Sequence, residues 1–326
     1  LVIVEHDRGV LATATSEALT AGRTLTAEIG GPLDALTIGA SADGLAGELA
    51  GYGVATVHQA DHALLADYGP ETWGAVVAQA VQRLTPTVTL ATGTDRGTEV
   101  MAQAAARLDQ PLVTNCTAIA LGDGDDLALT RVRWGGSLLE QTALHADVRL
   151  LTTAHHAFEA AAAPSPAPGT PAPFVPDLDP ALARTVVRDR VERAAGVTLA
   201  TAPVVVGGGR GVGSAEGFGP LEELADQLGG VVGCSRAVTN NGWRSHTDQV
   251  GQTGTRIAPT VYLACGISGA IQHWVGAMAA KHIIAVNIDP AANMVTKAGH
   301  AVIGDLHEVV PAISAEIRRR ATDDTP

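Results

Sequence analysis

Apolar and polar positions alternate along this chain with two different periods, and the two periods lay out its elements. Up to about position 155, short apolar runs of strand length are separated by longer amphipathic stretches. Leu1–Val4, Ala35–Ile38, Ala55–Val57 and Thr87–Leu90 read as buried strands. Between them, Ala12–Ala21, Leu45–Ala50, Trp73–Leu84 and Glu99–Leu108 read as helices. In the Trp73–Leu84 stretch, Trp73, Val76, Val77, Ala80, Val81 and Leu84 fall on one helical face. Strand and helix repeating in this way predict a mostly parallel sheet covered on both sides. After Leu112 the period changes to strands, at Leu127–Trp134, Ser137–Ala143 and Val148–Thr152, with a hairpin turn at Trp134–Ser137.

The segment 160–176 carries Pro164, Pro166, Pro168, Pro171, Pro173 and Pro176. That density of proline predicts an extended linker or surface crossover, outside any helix or sheet interior. Val186–Val197 then leads into a second unit. Its expected strands are Pro203–Val206, Val231–Gly233, Tyr262–Cys265 and Ile283–Ile288, with a short edge at Val302–Ile303. One expected helix starts near Pro220, buries Leu221, Leu224, Ala225 and Leu228, and is capped by Gly229. Ile271–Ala280 and His307–Arg320 are the others, the latter with Arg318–Arg320 complementing its dipole. The expected fold is α/β: two doubly wound parallel-sheet domains, 1–197 and 198–326, the second Rossmann-like.

Composition narrows the function. A chain of 326 residues fits two domains. It is 46% hydrophobic but only 3% aromatic, so small aliphatic side chains must build the core. A net charge of −13 argues against nucleic acid as a partner, since phosphate binding needs a basic face. Cys116, Cys234 and Cys265 are widely spaced and form no CxxC pattern, so buried thiols are expected in place of a metal cluster. No apolar run approaches the ~20 residues of a membrane span, and Leu1–His6 reads as a strand rather than a leader. A cytoplasmic protein without membrane insertion is expected.

Two glycine turns stand where chemistry is expected. Gly207–Gly213 (GGGRGVG) follows a strand and precedes a helix, which suits phosphate contact by backbone N–H groups. No GxGxxG register completes there, because Val212, Ser214 and Glu216 hold the third places. A tight turn is the competing reading. Gly266-Ile267-Ser268-Gly269 repeats the logic, with His273 about a turn further on and able to project over the same mouth. Gln252-Thr253-Gly254 offers a hydroxyl to a heterocycle edge, or is a plain turn. Arg236, after Ser235 at a strand's carboxyl end, can reach a ligand crevice or a surface carboxylate. His58, His62, His155 and His156 read as solvated, and no GxSxG hydrolase motif occurs.

Read in order, these strings carry a resemblance. GGRG with Glu216 and Phe218, SRAV…NGW (235–243), QVGQTG (249–254), GISGAIQH (266–273), N-x-DP (287–290) and Asp305-Leu306 resemble the alpha subunit of the electron-transfer flavoprotein family. The LVIVEH opening is similar to the family's first domain. Thr255 and Gly299 depart from the Lys and the acidic residue common there.

The resemblance implies one FAD per chain in the second domain. Arg210 and Ser235 would contact it, and Arg236 would lie by the isoalloxazine. Val250, Gly251, Gln252 and Thr253 would line the ring, with the Thr253 hydroxyl near N5. Ser268, Gly269, Ala270, Ile271, Gln272 and His273 would hold the pyrophosphate and, through His273, the pyrimidine edge. Asn287, Asp305 and Leu306 would serve the adenosine end. It further implies a heterodimer with a beta subunit carrying AMP or a second FAD. Electrons would come from flavin dehydrogenases, such as the acyl-CoA dehydrogenases of fatty acid oxidation, and pass to a membrane quinone reductase. The protein would be a carrier without bond-making catalysis, its FAD domain on a hinge near Val197–Pro203. A bifurcating or nitrogen-fixation-type member is the alternative. A non-redox adenine-nucleotide-binding regulator and a nicotinamide oxidoreductase are further readings, the latter lacking a complete glycine fingerprint.

Overall fold

The computed structural model describes residues 1–188 and 197–323. Most of the lead-in segment Val186–Val197 lies outside the described residues. The chain divides into two compact units, one reaching from Leu1 to Glu192 apart from the turn Gly135–Ser137, the other from Arg193 onward.

The first unit is built on a nine-stranded sheet. Its order is Thr170–Phe174, Val54–Ala60, Leu33–Ile38, Val2–Ile3, Thr89–Thr92, Leu150–Thr153, Leu112–Leu121, Leu127–Arg133, Leu138–Leu144. The first seven pair in parallel and the last two form an antiparallel meander. Helices Thr13–Ile29, Pro70–Leu84 and Asp95–Leu108 supply apolar faces to two buried clusters. Trp73, Val76, Val77, Ala80 and Val81 are buried, as the 3.6-residue period predicts. The hairpin turn falls where expected: Trp134 and Gly136 take left-handed φ values of 53° and 98°.

Three expectations change here. The proline-rich segment is not wholly a linker, because Thr170–Phe174 is a strand paired in parallel with Val54–Ala60. It sits at the sheet edge, where Pro171 and Pro173 have no second neighbour to which they would owe an N–H. Leu112–Leu121 is a further strand, in which polar Thr114, Asn115 and Thr117 interrupt the apolar positions and only Val113 and Cys116 are buried. The paired histidines are not solvated. His58 and His156 keep only 15% and 11% of their side chains exposed. His156 meets Glu17 at 3.1 Å, and His62 accepts from the Leu64 N–H.

At the switch point of this sheet, between Val2–Ile3 and Thr89–Thr92, the Glu5 carboxylate accepts from the hydroxyls of Thr92, at 2.7 Å, and of Thr94. Thr94 in turn caps the Asp95–Leu108 helix through the Gly97 N–H. A carboxylate of the chain itself therefore holds the position that an anionic ligand takes in such folds.

The second unit has a five-stranded parallel sheet: Val231–Cys234, Val204–Gly208, Val261–Cys265, His282–Asn287, His300–Ile303. Gly219–Gln227, with Pro220 in its first turn, and Leu306–Asp323 close one cluster, around Phe218, Leu221 and Leu224. The expected helix Ile271–Ala280 stops at Ala277, because Ala280 and Lys281 turn back to bond Ala277 and Pro259. All three cysteines are buried, and burial raises each thiol to about 12.

Candidate functional site

In the second unit, the first strand in sequence, Val204–Gly208, has its successors on opposite sides. This places the topological switch point between Val204–Gly208 and Val261–Cys265, where the carboxyl ends of doubly wound sheets open a ligand crevice. Both glycine turns emerge there. The Gly209 N–H donates to the Cys265 carbonyl at 2.9 Å, and the Gly211 N–H to the Gly266 carbonyl at 3.2 Å. A Cβ on Gly209 would stand 2.2 Å from the Gly266 oxygen, and one on Gly211 2.9 Å from the Gly266 Cα. The two turns thus meet backbone to backbone, a contact no side chain permits. Gly207 and Gly208 do another job: a Cβ there would strike the Tyr262 and Phe218 rings, so they serve packing.

Beside this contact lies a cleft of about 520 Å³, into which the structure brings Arg210, Ser235, Ser268, Asn287, Asp305 and Leu306. Asn287 is fixed by donating to the Ile267 carbonyl at 3.0 Å. Asp305 accepts from the His307 N–H at 2.9 Å. Ile288, Asp289 and His307 line the cleft as well, and the sequence reading did not single them out. Asp289 was within the N-x-DP string, but only the folded loop shows that it faces the cleft.

The remaining candidates gather at a second locus. The loop 249–255 lies against the helix Ile271–Ala277: the Gln252 N–H donates to the Gln272 carbonyl at 2.7 Å and the Ile257 N–H to Gly276 at 2.8 Å. Gly251, Gly269 and His273 are buried there, while Gln252, Thr253, Ala270, Ile271 and Gln272 are exposed. Val250 is buried and donates to the Cys234 carbonyl at 2.9 Å. Arg236 starts the short helix Arg236–Asn240; it and Arg210 are exposed and form no ion pair among the described residues.

His273 departs from expectation. It does not project over the mouth but is 6% exposed, with Nε2 2.8 Å from the Tyr262 hydroxyl. The reason is packing: Tyr262 is fully buried beneath Gly207, and its ring lies against the imidazole. Burial lowers the His273 pKa to about 4, the Val250 backbone offsetting only part of this. Burial also pushes the Tyr262 hydroxyl well up, so it stays a neutral phenol that can donate to or accept from Nε2, with the imidazole proton on Nδ1 or Nε2 accordingly. That Nδ1 is buried and makes no full hydrogen bond. At neutral pH His273 is therefore neutral and adds no positive charge at this locus.

Comparison with known proteins fits this geometry. Residues 198–278 match the electron transfer flavoprotein FAD-binding domain, and residues 1–175 the electron transfer flavoprotein domain. The chain is 33% identical over 321 residues to the electron transfer flavoprotein subunit alpha of Thermoanaerobacterium thermosaccharolyticum, covering 98% of this chain and 97% of that protein. This chain belongs to the electron transfer flavoprotein alpha-subunit family. The Mycobacterium leprae subunit alpha is 34% identical over 331 residues, covering 98% of both chains. Protein FixB of Bradyrhizobium diazoefficiens is 33% identical over 343 residues, covering 99% of this chain and 89% of that one.

The residues at the crevice fit FAD. The glycine turns let backbone approach backbone at the crevice, Ser235, Ser268 and Asn287 line the cleft beside them, and the exposed Arg210 and Arg236 guanidiniums form no ion pair among the described residues. Among the described residues, no group of His, Cys, Asp and Glu is arranged to hold a metal, and no helix is long and apolar enough to cross a membrane.

Proposed function

We propose that this chain is the alpha half of a heterodimeric, cytoplasmic electron carrier that holds one FAD. Its beta-type partner would carry AMP or a second FAD. The observation that supports this most is the coincidence of the matched FAD-binding segment, residues 198–278, with both glycine turns of the switch-point crevice. FAD supplies chemistry that accepts electrons from a dehydrogenase and releases them to an acceptor. The chain's work is binding and electrostatics. Arg210 and Ser268 would hold phosphate, and Asn287, Asp305 and Leu306 the adenosine end. Arg236 would balance charge on the reduced ring, with Ser235, Val250, Gly251, Gln252 and Thr253 along it. Gly269, Ala270, Ile271 and Gln272 would carry the backbone between phosphate and ring, and His273 would serve the pyrimidine edge.

The donors in this reading are flavin dehydrogenases such as acyl-CoA dehydrogenases, and the acceptor is a membrane quinone reductase. No residue makes or breaks a substrate bond, so the protein is a carrier. Relatives named FixB keep a second reading beside the first, a bifurcating or nitrogen-fixation-type member. The Glu5 carboxylate at the first sheet's switch point weighs against a nucleotide regulator acting through that unit. The test is co-expression with a beta-type subunit. Expected are a heterodimer of one-to-one mass, flavin absorption bands, and bleaching of those bands by an acyl-CoA dehydrogenase with its substrate. A colourless complex that refuses added FAD would refute the reading.

A further inference from the structure

Gln249 belongs to no expected ligand contact, yet it is 1% exposed and fully engaged. Its Oε1 accepts from the Thr239 hydroxyl at 2.8 Å, and its Nε2 donates to the Thr253 hydroxyl at 2.9 Å. Thr239 Oγ1 also lies 3.0 Å from the Arg236 carbonyl. The four groups form one chain, from the Arg236 carbonyl through Thr239 and Gln249 to Thr253. Gln249 at its middle is buried, Thr239 is half-buried, and Thr253 is exposed.

This chain can run in two directions. In the first, Thr239 donates to Gln249 and Gln249 donates to Thr253, which leaves the Thr253 proton free to point outward. Rotating the Gln249 amide by half a turn exchanges its oxygen and nitrogen. Thr253 then donates to Gln249, Gln249 donates to Thr239, and Thr239 donates to the Arg236 carbonyl. Every group keeps a partner, and Thr253 now presents a lone pair outward. A hydroxyl or a carboxamide can take either role, whereas an apolar or charged residue at position 249 could not.

We propose that Gln249 is a positioning residue that sets, and can reverse, the hydrogen-bond polarity of the Thr253 hydroxyl toward the flavin. The inference rests on the FAD reading. A flavin ring nitrogen that accepts a hydrogen bond when oxidised becomes an N–H donor when reduced. A reversible chain serves both forms, and a fixed donor serves one. A hydrogen bond at a partly buried site is worth about tenfold in affinity.

The test uses the full-length chain co-expressed with its partner, stripped of flavin and titrated with FAD in oxidised and dithionite-reduced form. Gln249→Met is expected to weaken both forms about tenfold and to leave their ratio, hence the midpoint potential, unchanged. In a Thr253→Val background the same substitution is expected to have no further effect. Thr239→Val, which cuts the inner end and spares Gln249, is expected to weaken both forms by less, again only when Thr253 is present. Wild-type affinity in Gln249→Met, an equal loss in the Thr253→Val background, or a loss confined to one oxidation state would overturn the proposal. A wild-type protein that takes up no FAD would overturn the flavin reading first and this inference with it.

Discussion

Gly276 and Gly251 meet through their backbones: a Cβ on Gly276 would stand 2.3 Å from the Gly251 Cα. The contact clamps the loop that carries Gln252 and Thr253 onto the helix that carries His273. Gly251 takes a φ of 145°, so the loop has no room to yield by changing residue type there. Gly276→Ala is expected to destabilise the second unit by about 1–3 kcal/mol, as overpacking does. It should also weaken FAD binding, because the loop must move. Denaturant unfolding and flavin titration of the same variant measure both; unchanged FAD affinity would show that the clamp does not set the site.

Gly209→Ala is expected to be more damaging to the cofactor than to the fold. Its Cβ would enter the Gly266 carbonyl, and relief requires the two turns to separate at the crevice. Flavin content on purification, compared with the far-UV circular dichroism spectrum, checks this. A fully flavinated Gly209→Ala protein would count against the crevice as the binding place.

Arg236→Ala is expected to lower the flavin midpoint potential. Losing a positive charge destabilises the negatively charged reduced ring more than the oxidised one. The guanidinium is exposed, so the effect is screened to on the order of 1 kcal/mol. Arg236→Lys should recover part of it. Spectroelectrochemistry at two salt concentrations tests both points, with the smaller shift expected at high salt.

His273 gives a pH dependence with a definite sign. Its folded pKa, about 4, lies below the ordinary value of 6.5, because burial disfavours the cation. Its contribution to stability is therefore complete above pH 6.5 and is lost as pH falls toward 4, where the unfolded chain takes up the proton first. The loss across that window is on the order of 3 kcal/mol. His273→Gln, which keeps a donor and acceptor for Tyr262, is expected to flatten the dependence. Urea unfolding from pH 4.5 to 7 is the measurement; parallel curves for the two proteins would refute the assignment.

The sequence by itself determined the architecture and the location of the chemistry. The 3.6-residue stripe of Trp73–Val81 and the short apolar runs at Ala35–Ile38 and Tyr262–Cys265 are local patterns, so the chain states them directly. The ordered strings from GGRG to Asp305-Leu306 likewise marked the second unit as the one that binds. Edges and partners were not legible. The prolines of Thr170–Phe174 argue against a strand until the strand is known to lie at an edge. Tertiary structure alone decided the charge and direction of the site's polar groups. In sequence His273 projects over the mouth of the crevice, but in the fold it is buried against Tyr262 and neutral. Gln249 is one more polar residue in a loop until Thr239 and Thr253 close on its two ends. Protonation state and hydrogen-bond direction depend on desolvation and on neighbours far apart in sequence. Such terms arise only when the chain has folded.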